Sequence, residues 1–266
     1  MRIVVKIGTS TLAHPTGLLN IKRVEELCKV MCDLKNAGHE LILVSSGAIG
    51  MGVGKLSLPE RPADIPTKQA AAAVGQCELM YTYDKLFSEY NHTVAQILIT
   101  GDDVEHENRR HNFENTVLRL LELGVIPIIN ENDTIATDEI VIGDNDTLGA
   151  IVACSVKADL LVILSDIDGL FTADPHKDKN AVLLRVVEKI TPEVKKMTGG
   201  AGSKLGTGGS KLGTGGMATK LKAAENAARA GIDTVIANGK DPRVLYDIAE
   251  GRPAGTKFLA EGEQSK

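Results

Sequence analysis

No run of apolar residues in this chain approaches the roughly 20 needed to cross a bilayer as a helix, so no membrane span is expected. The chain opens directly on Arg2-Ile3-Val4-Val5, a strand-like run with none of the layout of a secretory signal, and none is expected. Positive charge is not in excess. Thirty Lys and Arg against 35 Asp and Glu give a formal net charge of −5, which argues against a general nucleic-acid binder. Cysteine is scarce, and the four present (Cys28, Cys32, Cys77, Cys154) fall in helix-like apolar patterns. Cys28 and Cys32 share a helical face, with no second pair or histidine nearby to complete a metal site. They read as reduced core residues in a cytosolic setting.

Two familiar nucleotide motifs are missing as well. No G-x-x-x-x-G-K-[ST] occurs, because Gly54-Lys55 and Gly239-Lys240 lack both the Ser/Thr and the upstream glycine spacing. No G-x-G-x-x-G occurs, which counts against a classical dinucleotide fold. The histidines (His14, His39, His92, His106, His111, His176) all lie outside the glycine and Asx clusters, so a histidine-based acid–base mechanism is disfavoured.

What remains is an ordinary globular composition, 43% hydrophobic and 24% charged, in a chain of 266 residues. That length holds one large domain or two small ones with ample core. Short β-rich apolar runs alternate with helical patterns. Strands are expected at Ile3–Ile7, Leu41–Val44, Val94–Ile99, Val125–Ile129, Leu160–Leu164, Leu184–Ile190 and Thr234–Ala237, with Ile140–Ile142 as a hairpin arm. Helices are expected from Asn20 to Asn36, Pro66 to about Tyr90, Phe113–Leu123, Thr147–Val156, Ala218–Ala230 and Asp241–Ala249. Such alternation, with strands apolar on both faces, predicts a three-layer α/β/α sandwich around a mostly parallel sheet. Ligands of such sheets bind at the carboxyl ends of the strands.

Five segments at or beyond strand ends carry polar chemistry. Lys6-Ile7-Gly8-Thr9-Ser10 offers small residues that let backbone amides close on an anion, with Lys6 as a point charge; an ordinary turn is the alternative. Ser45-Ser46-Gly47-Ala48 either caps a helix or holds a carboxylate or phosphate at its start. The Asx-rich pair Asn130-Glu131-Asn132-Asp133 and Gly143-Asp144-Asn145-Asp146 suits the ammonium and carboxylate of a small polar ligand, with turn chemistry alone as the alternative. Ser165-Asp166-Ile167-Asp168 suits a nucleotide base or ribose, or is a surface turn. Further on, the unit Gly-Ser-Lys-Leu-Gly-Thr-Gly occurs twice, at Gly202–Gly208 and Gly209–Gly215. Only the second copy runs on into Gly216-Met217-Ala218-Thr219-Lys220 and a helix, an arrangement suited to phosphate.

In order, Val5–Ser10, Ser45–Ala48, Ile129–Asp133, Gly143–Asp146 and Gly213–Lys220 resemble the amino acid kinase family, and within it the branch that phosphorylates glutamate. The resemblance covers residues 1 to about 260, with a short tail at 261–266. It implies transfer of the γ-phosphoryl of ATP, with Mg²⁺ carried on its phosphates, to the side-chain carboxylate of L-glutamate. Lys6 and Lys220 would then be the catalytic cations and Asp146 their orienting carboxylate. Ser46, Asp133 and Asn145 match glutamate-binding positions. Lys6, Gly8, Thr9, Ser165, Asp166, Thr214, Gly215, Gly216, Met217, Ala218, Thr219 and Lys220 match nucleotide-binding ones. Substrate binding would fall in about 1–150 and nucleotide binding in about 151–260.

The resemblance also implies a cytoplasmic homo-oligomer, dimer or tetramer, through Pro66–Tyr90 or Asp102–Asn115, and proline as a possible feedback inhibitor. Many members continue into a C-terminal PUA-type domain, which is not expected here. Members generally carry one Gly-Thr-Gly-Gly segment, so the first heptad reads as a spare, and deleting Gly202–Gly208 is expected to leave activity largely intact. The rivals are sibling kinases of aspartate, acetylglutamate or carbamate, and a nucleotide-binding regulator without chemistry. Retention of both Lys6 and Lys220 argues against the regulator.

Overall fold

The computed structural model describes residues 1–14, 18–136, 144–175, 177–197 and 216–262. The duplicated heptad with Thr214 and Gly215, the expected arm Ile140–Ile142, Gly143, His176 and the end of the tail lie outside the described residues.

The first half runs β1 (Arg2–Ile7), α1 (Thr9–Leu12), α2 (Ile21–Asn36), β2 (Glu40–Val44), α3 (Ala48–Lys55), α4 (Ile65–Ser88), β3 (Val94–Ile99), α5 (Gly101–Glu105), α6 (Glu107–Glu122) and β4 (Ile126–Glu131). The second runs α7 (Asn145–Ser155), β5 (Leu160–Ser165), β6 (Val186–Val187), α8 (Pro192–Lys196), α9 (Met217–Arg229), β7 (Asp233–Asn238), α10 (Val244–Ala249) and β8 (Thr256–Phe258).

One sheet holds every strand of the described residues, in the order β3-β4-β2-β1-β5-β7-β8-β6. All neighbouring pairs are parallel except β7 and β8. The central strands are buried on both faces, as their apolar runs require. Alternate residues of β1 show why: Ile3, Val5 and Ile7 join one core cluster with residues of α2, α4 and α10. Val4 joins the other, with residues of α6, α7 and α9. The fold is thus the expected three-layer sandwich.

From β1 the chain first builds outward through β2, β4 and β3, and only later returns to β5 on the other flank. Lys6 pairs in register with Val44 of β2 and Ile163 of β5. The carboxyl end of β1 is therefore the point where the winding reverses, the place where open α/β sheets leave a crevice for ligand.

Helix α2 follows its sequence closely. The Asn20 side chain accepts a hydrogen bond from the Arg23 amide at 3.2 Å, and Val24, Leu27, Cys28, Met31 and Leu34 form the buried stripe. Burial pushes the Cys28 thiol well up and that of Cys32 to about 11, as befits reduced core residues. Helices α3 and α4 meet at glycines. A Cβ on Gly52 would lie 1.8 Å from the carbonyl oxygen of Ala71, and one on Gly75 would lie 1.8 Å from that of Ala48.

Several boundaries differ from the sequence reading. Helix α6 begins at Glu107, six residues before Phe113, because its first turns are exposed and carry no apolar stripe. The strand expected over Leu184–Ile190 shrinks to Val186–Val187, the two residues that pair with Lys257 and Phe258 of β8. Helix α10 begins at Val244, because Asp241 accepts from the backbone and guanidinium of Arg243 in a turn before it. No described helix is long and apolar enough to cross a membrane.

Candidate functional site

Three charged side chains meet at the reversal point. Lys6 sits at the end of β1, Asp146 in the first turn of α7, and Lys220 in the first turn of α9. All three are almost wholly buried. The Lys6 ammonium lies 2.6 Å from Asp146 Oδ1, and the Lys220 ammonium donates to Asp146 Oδ2 at 3.0 Å. One carboxylate thus holds two lysines, an oxygen to each. Thr219 Oγ1 stands 3.0 Å from the same Oδ2 and 2.8 Å from the carbonyl of Gly216, which ties the start of α9 to the cluster.

Local sequence explains how the carboxylate gets there. Asp144 caps α7, accepting from the Thr147 amide at 2.9 Å and the Thr147 hydroxyl at 3.0 Å. The cap fixes the first turn, so Asp146 enters near the positive end of the helix dipole. Gly149, one turn on, lets α7 settle against β1: a Cβ there would lie 3.3 Å from Cβ of Lys6.

Electrostatics at the cluster are unbalanced. Burial lowers the pKa of Lys6, with Asp146 opposing the shift and Lys220 adding to it. Burial also works to raise the pKa of Asp146, but Lys6 and Lys220 outweigh it and hold the carboxyl below its usual range. Two ammonium groups share the one carboxylate paired with them, and Asp144 acts on Lys6 only as the smallest influence, which leaves the lysine pair incompletely compensated. That imbalance fits an anionic ligand. Gly8 opens the adjoining loop, and a Cβ there would lie 3.4 Å from the Lys6 ammonium.

A second, uncharged network begins one residue earlier. Asn145 Nδ2 donates toward the Ser45 carbonyl at 2.7 Å, Ser46 Oγ at 2.8 Å and Asn130 Oδ1 at 3.0 Å. Asn130 Nδ2 donates to Gln76 Oε1 of α4 at 2.9 Å, and the Glu131 amide donates to Asn130 Oδ1 at 2.9 Å. Ser45 and Tyr83 hydroxyls share a hydrogen bond of 2.9 Å. The carboxyl ends of β2 and β4 are therefore stitched to α7 on one side and α4 on the other. Asp133 follows β4, and burial, opposed by the charge of Arg61, raises its pKa to about 6.

The sequence profile of the amino acid kinase family matches residues 1–238. A glutamate 5-kinase of Clostridium perfringens is 52% identical over 264 residues, covering 98% of this chain and 96% of that protein.

The chain belongs to the amino acid kinase family, in its glutamate 5-kinase branch.

A glutamate 5-kinase of Listeria innocua is 48% identical, covering 99% of this chain and 94% of that one. Another, from Caldanaerobacter subterraneus, is 52% identical over 97% of this chain and 68% of its own greater length. Among solved structures, a carbamate kinase from Giardia lamblia bound to AMP-PNP superposes with a TM-score of 0.69 at 14% identity, covering 98% of both chains. An isopentenyl phosphate kinase from T. acidophilum gives 0.66 at 18% identity, covering 97% of this chain and all of that one. At those identities the two structures establish the shared fold of the amino acid kinases.

The structure brings Lys6, Asp146, Lys220 and Thr219 into one cluster, and Ser46 and Asn145 into the adjoining network. Ser165 and Asp166 lie at the carboxyl end of β5, the strand beside β1. There Ser165 Oγ donates to Asp166 Oδ1 at 3.1 Å, and the Ser165 carbonyl accepts from the Gly239 amide at 2.7 Å. Gly8 and Thr9 open α1, while Gly216, Met217 and Ala218 open α9. Sequence reasoning did not single out Gln76 and Tyr83. Both fall on the buried stripe of α4 with Ala72, Leu79 and Phe87, and a lone Gln among apolar stripe positions is the signal that could have marked it.

Proposed function

We propose that this chain transfers the γ-phosphoryl group of ATP to the side-chain carboxylate of L-glutamate, giving L-glutamyl 5-phosphate, the first step of proline biosynthesis. The observation that carries this reading is the doubly paired carboxylate at the sheet's reversal point, with an amide network built from the same helix start. Support for glutamate as acceptor comes from the identity of about half with named glutamate 5-kinases across nearly the whole chain.

A carboxylate acceptor is already ionised at neutral pH, so the reaction needs no general base to make the nucleophile. The work is positioning two anions against each other and neutralising charge that moves between them. In this reading Lys6 and Lys220 face the transferring phosphoryl group and the β-phosphate, and Asp146 keeps both ammonium groups aimed. The amides of Gly8 and Thr9 and the start of α9 at Gly216, Met217, Ala218 and Thr219 cradle phosphate oxygens. Ser165 and Asp166 lie along the nucleoside, with Thr214 and Gly215 completing the nucleotide side. Ser46, Asp133 and Asn145 bind the amino acid. Residues from 1 to about 150 thus hold the acceptor, with Lys6, Gly8 and Thr9 reaching across to phosphate, and about 151–260 hold the nucleotide. Among the described residues no group of three or more His, Cys, Asp or Glu could hold a metal. Mg²⁺ would ride on the phosphates of ATP and would offset part of their charge. A cytoplasmic homo-oligomer, dimer or tetramer, with proline as inhibitor, completes the reading.

The deciding experiment is ADP release with a panel of acceptors. Release that requires L-glutamate, with aspartate, N-acetylglutamate and carbamate far poorer, is the expected result. Release with another acceptor preferred, or none with any, overturns the reading.

A further inference from the structure

Among the described residues the Gln76 side chain hydrogen-bonds to none of those assigned to phosphoryl transfer, yet it stands at the head of a chain of side-chain amides that ends on an acceptor-binding residue. The polarity of that chain follows from backbone groups whose chemistry is unambiguous. The Ser45 carbonyl can only accept, so the arm of Asn145 lying 2.7 Å from it is the nitrogen. The Glu131 amide can only donate, so the arm of Asn130 lying 2.9 Å from it is the oxygen. Asn130 must then offer its nitrogen to Gln76, which receives it on Oε1 at 2.9 Å. Gln76 and Asn130 are both buried, and neither amide can turn without stranding a polar group.

The consequence falls on Asn145. Three acceptors gather about its nitrogen, and its Oδ1 has no hydrogen-bond partner among the described residues. An amide oxygen left over in this network suits an N–H donor carrying positive charge.

We propose that Gln76 is a positioning residue: through Asn130 it locks the amide of Asn145 so that Oδ1 faces the α-ammonium of the bound amino acid. This deepens the glutamate kinase reading and rests on it. Gln76 sets affinity for the amino group of the acceptor without contacting it, and leaves the lysine cluster untouched.

The test compares two acceptors that differ only in that amino group, L-glutamate and glutarate, in the wild type and in Gln76→Met, which keeps an unbranched side chain of similar length. The wild type is measured first; failure to release ADP with glutamate would sink the underlying reading and not this one. In Gln76→Met the KM for glutamate should rise about tenfold or more, the worth of one charge-assisted hydrogen bond. The KM for ATP should stay unchanged, as should the affinity for glutarate as acceptor or competitive inhibitor. Gln76→Glu, which keeps an acceptor oxygen toward Asn130, should restore most of the preference for glutamate. Should Gln76→Met fail to fold, Asn130→Asp removes the same donor to Gln76 and must show the same selective loss. Equal loss for glutamate and glutarate, or no loss for either, overturns the proposal.

Discussion

Asp146→Asn keeps the shape of the side chain and removes the one negative charge shared by two buried ammonium groups. The lysines lie 2.6 and 3.0 Å from its oxygens. At an effective dielectric of about 20 each contact is worth about 5–6 kcal/mol of Coulomb energy, most of it offset by desolvation. Breaking such a pair from one side costs about 3–5 kcal/mol, because the partner's charge stays buried without compensation. Against a typical domain stability of about 5–15 kcal/mol, the variant should fold but with a much lower urea midpoint. Burial already lowers the pKa of Lys6, and Asp146 is its main opposing influence, so without the carboxylate that pKa falls further. A lysine whose folded pKa lies below its unfolded one binds fewer protons in the folded state. Stability of Asp146→Asn should therefore rise as the pH goes from 7 to 9. Activity should move the other way, since a neutral Lys6 cannot offset phosphoryl charge, and the rate at pH 7 should already be down about a hundredfold or more. Urea titrations and glutamate-dependent ADP release at both pH values provide the check. A variant with the parental midpoint and a rate within tenfold of the parent would refute the shared-carboxylate argument.

Lys6→Ala and Lys220→Ala should each cut turnover by orders of magnitude while circular dichroism shows the fold retained; near-normal turnover in either would remove that lysine from the reaction. Asp133 titrates near pH 6 because burial raises it, so its carboxylate attracts an ammonium only above that pH. The KM for glutamate should accordingly climb as the pH falls through about 6. In Asp133→Asn it should be high and flat with pH, and a rise in the KM for ATP in place of glutamate would reverse the subsites. Gly75→Ala places a Cβ 1.8 Å from the backbone oxygen of Ala48, where no side chain can yield. It should cost more than the roughly 1–3 kcal/mol of ordinary overpacking, read from thermal or urea unfolding, and parental stability would mean the α3–α4 crossing is looser than the structure has it.

Sequence and structure agree best where one physical demand acts alone. Strands β1, β2, β4 and β5 are legible because a sheet covered on both faces needs unbroken apolar runs. Helix α2 is legible because a cap, a stripe and a terminating glycine at Gly38 all point the same way. The opening of α6 is not, since Glu107–Asn112 are exposed and polar on every side. Strand β8 is three residues long and exists only through its pairing with β7 and β6. At the site, the identities of Lys6, Asp146 and Lys220 could be taken from motif resemblance. The resemblance also implied that Asp146 orients both lysines; that it gives one oxygen to each was not legible, because the three are brought together from β1, α7 and α9 only by the sheet order. Gln76 and Tyr83 were hidden for a different reason: on α4 they keep a helical apolar spacing, and only the crossing of α4 over the ends of β2 and β4 shows where their polar atoms go.

The start of α7 gives the site its coupling. Asn145 and Asp146 are neighbours in sequence, and successive helical residues point about 100° apart. One step along the helix thus sends an amide toward β2 and β4 and a carboxylate toward β1 and α9. In a strand, successive side chains leave on opposite faces, and one of the two would have been lost to the far side of the sheet. Because both residues ride on the turn that Asp144 caps, the amide network and the lysine pair are held in one frame. Phosphoryl transfer between two anions needs that frame more than it needs any proton donor. Under the proposed function, a shift of α7 that moved Asn145 would drag Asp146 off its lysines, which would couple affinity for the amino acid to the aim of the cations at this turn. Residues that reach the network from outside it, Gln76 above all, are where affinity can change alone.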